Sequence, residues 1–203
     1  MANNADEKRI KILETAKRRF AHYGMAKTTM AEIAKDLAFS KALLYYYFPD
    51  KNSLYAAVLE HVIEESKTFT ENAVSKATSV DESMQIILES SMDFKRKYFY
   101  ILEYTIMIRK ELPKEIDEYL VASFDSQKDL IKIIFDRGVL SKELRNDFDT
   151  SEMARVLLYG ILGMRMSVVK DFKSDFIPDK TEFDDILAMQ KKLTKVFIQG
   201  LRV

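Results

Sequence analysis

The sequence predicts an all-α protein of about nine helices, a short N-terminal three-helix unit followed by a larger helical bundle. Three observations carry that expectation. Only 5 glycines and 3 prolines interrupt 203 residues, which favours long helices over turn-rich strands. Apolar residues recur at helical spacing in segment after segment, and no stretch gives a strand signal. Residues that suit helix starts, among them Thr29, Ser40, Asp50, Asp81 and Asp149, stand just ahead of those periodic segments.

The first helix is predicted from Asp6 to Tyr23, with Ile12, Leu13, Ala16 and Phe20 on one face, and Gly24 supplies the left-handed residue that ends it. Thr29-Met30-Ala31-Glu32 is a capping box: the threonine hydroxyl serves the third amide of the helix and Glu32 reaches back. That short helix turns Ile33, Ala34 and Leu37 inward. After a tight turn at Ala38-Phe39, Ser40 caps a second short helix that runs through Tyr47 and is stopped by Pro49. A long helix over 51–75 follows, with Leu54, Val58, Leu59, Val62 and Phe69 expected on its buried side. Further on, Asp81 is expected to cap a helix to Lys95 that buries Met84, Ile87, Leu88 and Met92. Helices over 98–110, from Pro113 to Gly138, from Asp149 or Thr150 to Val169, and over 182–201 complete the chain.

Composition narrows the functional classes. Cysteine is absent, which removes disulfides, thiolate metal sites and a cysteine nucleophile. The two histidines, His22 and His61, form no metal motif, and no phosphate loop or Glu-x-x-His pair occurs. No catalytic residue, metal or cofactor is therefore expected. No apolar run reaches membrane-spanning length and the opening residues are polar, so a cytoplasmic protein without membrane contact is expected. The net charge is zero, yet residues 1–55 hold ten Lys or Arg against six Asp or Glu, a local excess of 10 − 6 = +4. The remainder carries −4. A basic head on an acidic body can present one face to phosphates.

Two short helices joined by a tight turn and braced by a longer one form a helix-turn-helix. The second short helix must be slim and exposed enough to enter a major groove about 12 Å wide. Its exposed candidates are Ser40, Lys41, Ala42, Leu43, Tyr45 and Tyr46, flanked by Thr28 and Thr29 on one side and Lys51 on the other. Tyr47 and Phe48 are expected to pack inward. Thr28-Thr29-Met30-Ala31-Glu32-Ile33-Ala34, then Phe39-Ser40-Lys41, then Leu44-Tyr45-Tyr46-Tyr47-Phe48 and Lys51, resemble the DNA-binding signature of the TetR family. The resemblance runs from about Ile10 to Leu59, with Phe20-Ala21 and Gly24 in register. It implies that Tyr45, Lys51 and Thr28 or Thr29 hold phosphates while Lys41, Ala42, Leu43 and Tyr46 face the bases. Ala38 stands where the family often has glycine, and Ala42-Leu43 where Gly-Thr is common.

The same resemblance implies a DNA-binding domain over 1–50 and an effector-binding and dimerisation domain over 51–203. A homodimer built on a four-helix interface would bind a palindromic operator in double-stranded DNA, most often as a repressor, and a small hydrophobic or amphipathic effector would release it. Met92, Tyr104, Met107, Phe124 and Met164 are the candidate pocket residues, because methionine and aromatic side chains make adaptable walls. Leu157, Gly160, Ile161, Val196 and Phe197 are the candidate interface residues, the glycine allowing close helix approach. The alternative is a DNA-binding dimer controlled by a protein partner, without an effector. Two basic runs lie outside these assignments: Lys17-Arg18-Arg19, read as a solvated helix face, and Lys95-Arg96-Lys97 before Tyr98-Phe99-Tyr100, read as a solvated connector.

Overall fold

The computed structural model describes residues 4–107, 114–171 and 180–203. Among these residues the chain forms α1 (Asn4–Tyr23), α2 (Met30–Asp36), α3 (Lys41–Tyr47), α4 (Lys51–Lys76) and α5 (Val80–Lys97). It continues through α6 (Phe99–Met107), α7 (Lys114–Leu140), α8 (Thr150–Asp171) and α9 (Lys180–Gln199). The only extended pairing among the described residues is an isolated bridge between Leu144 and Arg202. None of their helices is long and apolar enough to cross a membrane.

Two compact units result, Met1–Ser66 with Lys97–Leu120, and Lys67–Arg96 with Val121–Val203. In the first, the apolar stripe of α1 (Ile12, Ala16, Phe20) is buried along with Ile33 of α2, Leu44 of α3 and Leu54, Val58 and Val62 of α4. Phe20 meets the Tyr55 ring edge-on at 5.8 Å, and the buried Tyr55 hydroxyl donates to the Ile101 carbonyl at 2.6 Å. The helix ends obey the local rules. Gly24 sits at φ +75° and its N–H closes on the Phe20 carbonyl, so α1 stops where a left-handed residue is cheap.

The second unit is organised around Phe135, Ile131 and Ile134 of α7, packed with Met84 and Leu88 of α5 and Leu157 and Leu158 of α8. Here three sequence expectations change. The cap of α5 is Ser79, whose Oγ accepts the Glu82 N–H at 3.1 Å, while Asp81 turns outward to pair with Arg202. Phe69 lies in register with Val62 on α4 but is 65% exposed. And α7 does not end at Gly138. It continues to Leu140, and the glycine serves a close approach: a Cβ there would lie 2.5 Å from Val80 Cγ2 and 2.9 Å from Leu144 Cδ1. Gly138→Ala is therefore expected to destabilise the unit by about 1–2 kcal/mol through overpacking, since Val80 is stiff at χ1. A thermal melt equal to the parent's would show that Val80 and Leu144 can retreat.

Candidate nucleic-acid interface

The short helix α3 is set by its two ends and one anchor. Ser40 Oγ accepts the Leu43 N–H at 3.1 Å, which leaves the serine hydroxyl proton free to donate outward. Leu44 and Phe48, four residues apart, are buried and fix the helix to the core. The opposite face then carries Lys41, Ala42, Tyr45 and Tyr46 into solvent, with Leu43 half-buried at the margin. Tyr45 is 49% and Tyr46 81% exposed, a large aromatic area in solvent. Tyr47 is half-buried and meets Tyr46 edge-on at 5.4 Å.

Helix α2 and its turn position α3. The capping box is complete: Thr29 Oγ1 accepts the Glu32 N–H, and Glu32 Oε2 accepts both the backbone N–H and the hydroxyl of Thr29, at 2.9 and 2.8 Å. The Thr29 side chain and then its backbone hold the Glu32 carboxyl below the usual carboxylate range. Arg19 of α1 clamps the other end of α2 through a two-pronged contact with Asp36, Nε to Oδ2 at 2.6 Å and Nη2 to Oδ1 at 2.9 Å. That hydrogen-bonded guanidinium lowers the Asp36 carboxyl in turn.

The turn closes with Ala38 N–H on the Lys35 carbonyl and Phe39 N–H on the Ala34 carbonyl, the paired bonds of a Schellman motif. Ala38 occupies its left-handed position at φ 53°, where a Cβ crowds the backbone. Ala38→Gly is expected to raise stability by about 0.5–1 kcal/mol, the relief exceeding the entropy gained by the unfolded chain. A lower melting temperature for the variant would mean that the alanine is not strained.

The flanking residues behave unequally. Thr29 is exposed, whereas Thr28 is wholly buried and its hydroxyl donates to the Gly24 carbonyl at 2.9 Å, so its side chain fixes the loop instead of facing outward. Lys51 Nζ donates to the Met25 and Thr28 carbonyls at 2.9 and 3.0 Å, stapling the same loop from α4 with one proton to spare. Arg9 was not singled out from sequence; its guanidinium lies over the Phe48 ring at 5.6 Å, beside the exit of α3. The excess of positive charge over 1–55 was the only signal for it.

In the second unit, Met92 is buried, Phe124 is exposed and Met164 is half-buried, and the side chains of Tyr104 and Met107 lie outside the described residues. A cavity of about 380 Å3 there is lined by Thr78, Val80, Ser83, Ile134, Arg137 and Gly138, none of them a candidate from sequence. Leu157 and Ile161 are buried in the unit's own core, and Phe197 stacks on Phe135 at 6.4 Å. The outward face of α8 carries Val156, Tyr159, Gly160 and Gly163, and that of α9 carries Met189 and Val196. Val196 is 69% exposed. One helix thus divides its residues by the 100° step: Leu157 and Ile161 point to the core, while Gly160 borders α9 of its own chain, where an added Cβ would lie 3.3 Å from Leu193 Cδ2.

Neither basic run is merely solvated. Lys17 is buried between Glu14 and Glu65, and Arg96 pairs with Asp184 and lies over the Phe183 ring.

Residues 12–58 match the family model for bacterial regulatory proteins of the tetR family. The nucleoid occlusion factor SlmA of Haemophilus influenzae is 32% identical over 74 residues, which cover 36% of this chain and 34% of that protein. The match thus spans about a third of the curated relative's length. A transcriptional regulator of Cytophaga hutchinsonii superposes with a TM-score of 0.84 at 24% identity, over 95% of this chain and 97% of that one. A regulator of Saccharomonospora viridis in complex with choline does so with a TM-score of 0.73 at 19% identity, over 94% and 96%.

Proposed function

We propose that the chain is a transcription regulator of the tetR family that binds a palindromic operator as a homodimer, a reading supported by the family match over residues 12–58 and the shared fold. The observation that carries this reading is the two-sidedness of α3, whose Leu44–Phe48 face is locked into the core while Lys41, Ala42, Tyr45 and Tyr46 stand in solvent. In this reading residues 1–50 bind DNA and residues 51–203 dimerise and sense. Lys41, Ala42, Leu43 and Tyr46 read base edges. Tyr45, Ser40 and the spare proton of Lys51 meet phosphates, while Thr28 and Thr29, whose hydroxyls are held by the Gly24 carbonyl and the Glu32 carboxylate, contribute through the loop and the cap they brace. Phosphate contacts set register and affinity, whereas the base edges set sequence.

The outward faces of α8 and α9 support a dimer. An added Cβ at Gly163 would meet nothing within 4 Å, which leaves room for a partner helix, whereas Gly160 serves the approach of α9 in its own chain; Val156, Tyr159 and Val196 offer apolar surface that a second copy would cover. Two heads must then sit about 34–36 Å apart, or a multiple of that, to enter successive grooves on one side of the duplex. Repression and release by a small hydrophobic or amphipathic effector in the C-terminal domain complete the proposal. The choline bound by the Saccharomonospora viridis regulator supports an effector, with Met92 and Met164 as wall candidates. Release requires that the effector prefer a conformation with different spacing of the heads. The likeness to a nucleoid occlusion factor favours a second reading, in which a protein partner docks on the body in place of an effector.

Selection of bound sites from random duplexes tests the proposal. An inverted repeat with half-sites about one turn apart is expected. Failure to retain any duplex at low salt would end the regulator reading. Operator release by a metabolite, without a second protein, would exclude the partner reading.

A further inference from the structure

The two basic runs left over from the operator reading, Lys17-Arg18-Arg19 and Lys95-Arg96-Lys97, are about 80 residues apart in the chain, and the packing of α6 on α1 brings one member of the second beside the first. They meet at an open surface depression in the first unit, lined by Arg18, Arg19, His22 and Tyr23 of α1, Asp36 of α2 and Lys97 at the end of α5.

The charges of this depression do not cancel. Arg19 is satisfied by Asp36, at 2.6 and 2.9 Å. Arg18 spends one N–H on the Thr15 hydroxyl at 3.1 Å, and Lys97 lies over the Tyr98 ring at 5.0 Å. Among the described residues neither has a carboxylate within ion-pair distance. Three cations against one carboxylate leave 3 − 1 = +2 on the lining. Arg18 retains further donors of the planar guanidinium, the geometry that grips phosphate oxygens, and Lys97 adds a point charge. Beside them the Tyr23 ring is half exposed; the Arg19 guanidinium lies over it at 5.8 Å and His22 meets it edge-on at 4.5 Å, so the remaining exposed part is what a base would touch.

We infer that this depression binds a phosphorylated small molecule of the nucleotide type, with its phosphates on Arg18 and Lys97 and its base against Tyr23. Its lining shares no residue with the operator face of α3 and none with the second unit. The inference therefore stands or falls independently of both.

Duplex DNA carries the same phosphate chemistry, so the test needs two arms. In the first, ATP and inorganic pyrophosphate are titrated calorimetrically into the full chain at low salt. Saturable binding of ATP with one site per chain is expected, weakened roughly tenfold or more by Arg18→Ala and by Lys97→Ala, each the loss of a charge-assisted contact. Tyr23→Ala should weaken ATP and leave pyrophosphate unchanged, a split that general loss of charge would not produce. Lys192→Ala, an exposed lysine of α9, should change neither. In the second arm, Arg18→Ala and Lys97→Ala should keep the parent's affinity for a random duplex. Both side chains are exposed, so unaltered melting temperatures check the fold. No saturable ATP binding, or binding that both substitutions leave intact, overturns the inference. So does a loss of duplex affinity in both variants without an effect on ATP, since the two cations would then serve DNA.

Discussion

Replacing Lys17 by alanine is expected to lower the melting temperature at pH 7 by roughly 5–10 °C, and by much less near pH 4. The ammonium group lies 2.8 Å from Glu14 and 2.9 Å from Glu65, on a side chain only 10% exposed, and so ties α1 to α4. Around it His61 Nε2 meets Glu14 at 2.7 Å and the Tyr98 hydroxyl donates to Glu65 at 3.3 Å. Glu14, His61 and Glu65 are the kind of cluster that can attract a metal ion, and here the lysine supplies the positive charge. Without it two carboxylates face each other, with His61 beside Glu14 and the Tyr98 hydroxyl and the Lys97 charge beside Glu65. Breaking a fully buried pair costs about 3–5 kcal/mol, and the partly exposed carboxylates reduce this to about 2–3 kcal/mol.

The pH dependence follows from the directions of the shifts. Burial opposes ionisation of Glu14, but hydrogen bonds from Lys17 and His61 outweigh it and the carboxyl ends below its usual range. Glu65 is lowered chiefly by its bond to Lys17. Groups with depressed folded values stabilise fully above the unfolded carboxylate range, near roughly 4.3, and lose that contribution as pH falls through the lower folded values. Burial likewise opposes the charge on Lys17, its two carboxylate partners raise it, and its contribution persists through neutral pH. In the alanine variant protonation relieves repulsion instead of breaking a pair, so the two stability curves converge on acidification. Lys17→Met, which restores the stem without the charge, should recover packing and keep the pH-dependent deficit. Equal deficits at pH 4 and pH 7 would reduce the role of Lys17 to packing.

What could be read in the sequence was whatever depends on neighbours within a few residues. The capping box at Thr29, the serine cap of α3, the left-handed Gly24 and the turn at Ala38 are local geometry, and each follows from the residue types in order. The split of Tyr45 and Tyr46 from Tyr47 and Phe48 follows from the helical step alone. What could not be read depends on residues far away in the chain. Lys17 looks like part of a solvated run until Glu65 arrives from α4. Lys51 looks like a free phosphate ligand until the loop carbonyls of Met25 and Thr28 arrive to take two of its protons. Thr28 and Thr29 are adjacent and alike, yet one is buried and the other exposed, because the second begins a helix and the first closes the loop before it. For Phe69 and Leu157 the spacing was right, but spacing gives a face without saying what lies across it.

Lys41→Ala is expected to lower affinity for the selected operator by a factor between about thirty and twenty thousand at fixed salt, and to relax one base position in each half-site. Lys41 is the first residue of α3, exposed, and held in place by the Ser40 cap behind it and the Leu44 anchor ahead. A lysine in that place reaches the acceptors on a guanine edge, a contact worth about 1–3 kcal/mol of discrimination. A homodimer makes it twice, and the two half-sites add to about 2–6 kcal/mol because they are too far apart to interact. Lys51→Ala provides the contrast. The one proton its ammonium has left can meet a phosphate but cannot identify a base, so its loss weakens all duplexes alike. Two lost phosphate contacts per dimer reduce the slope of log affinity against log salt by about 1.8. Loosening the Met25–Thr28 loop adds a drop in melting temperature that Lys41→Ala should not show. If the Lys41 variant selects the same sequences as its parent and differs only in salt slope, Lys41 contacts phosphate, and base reading belongs to Tyr46, Ala42 and Leu43 alone.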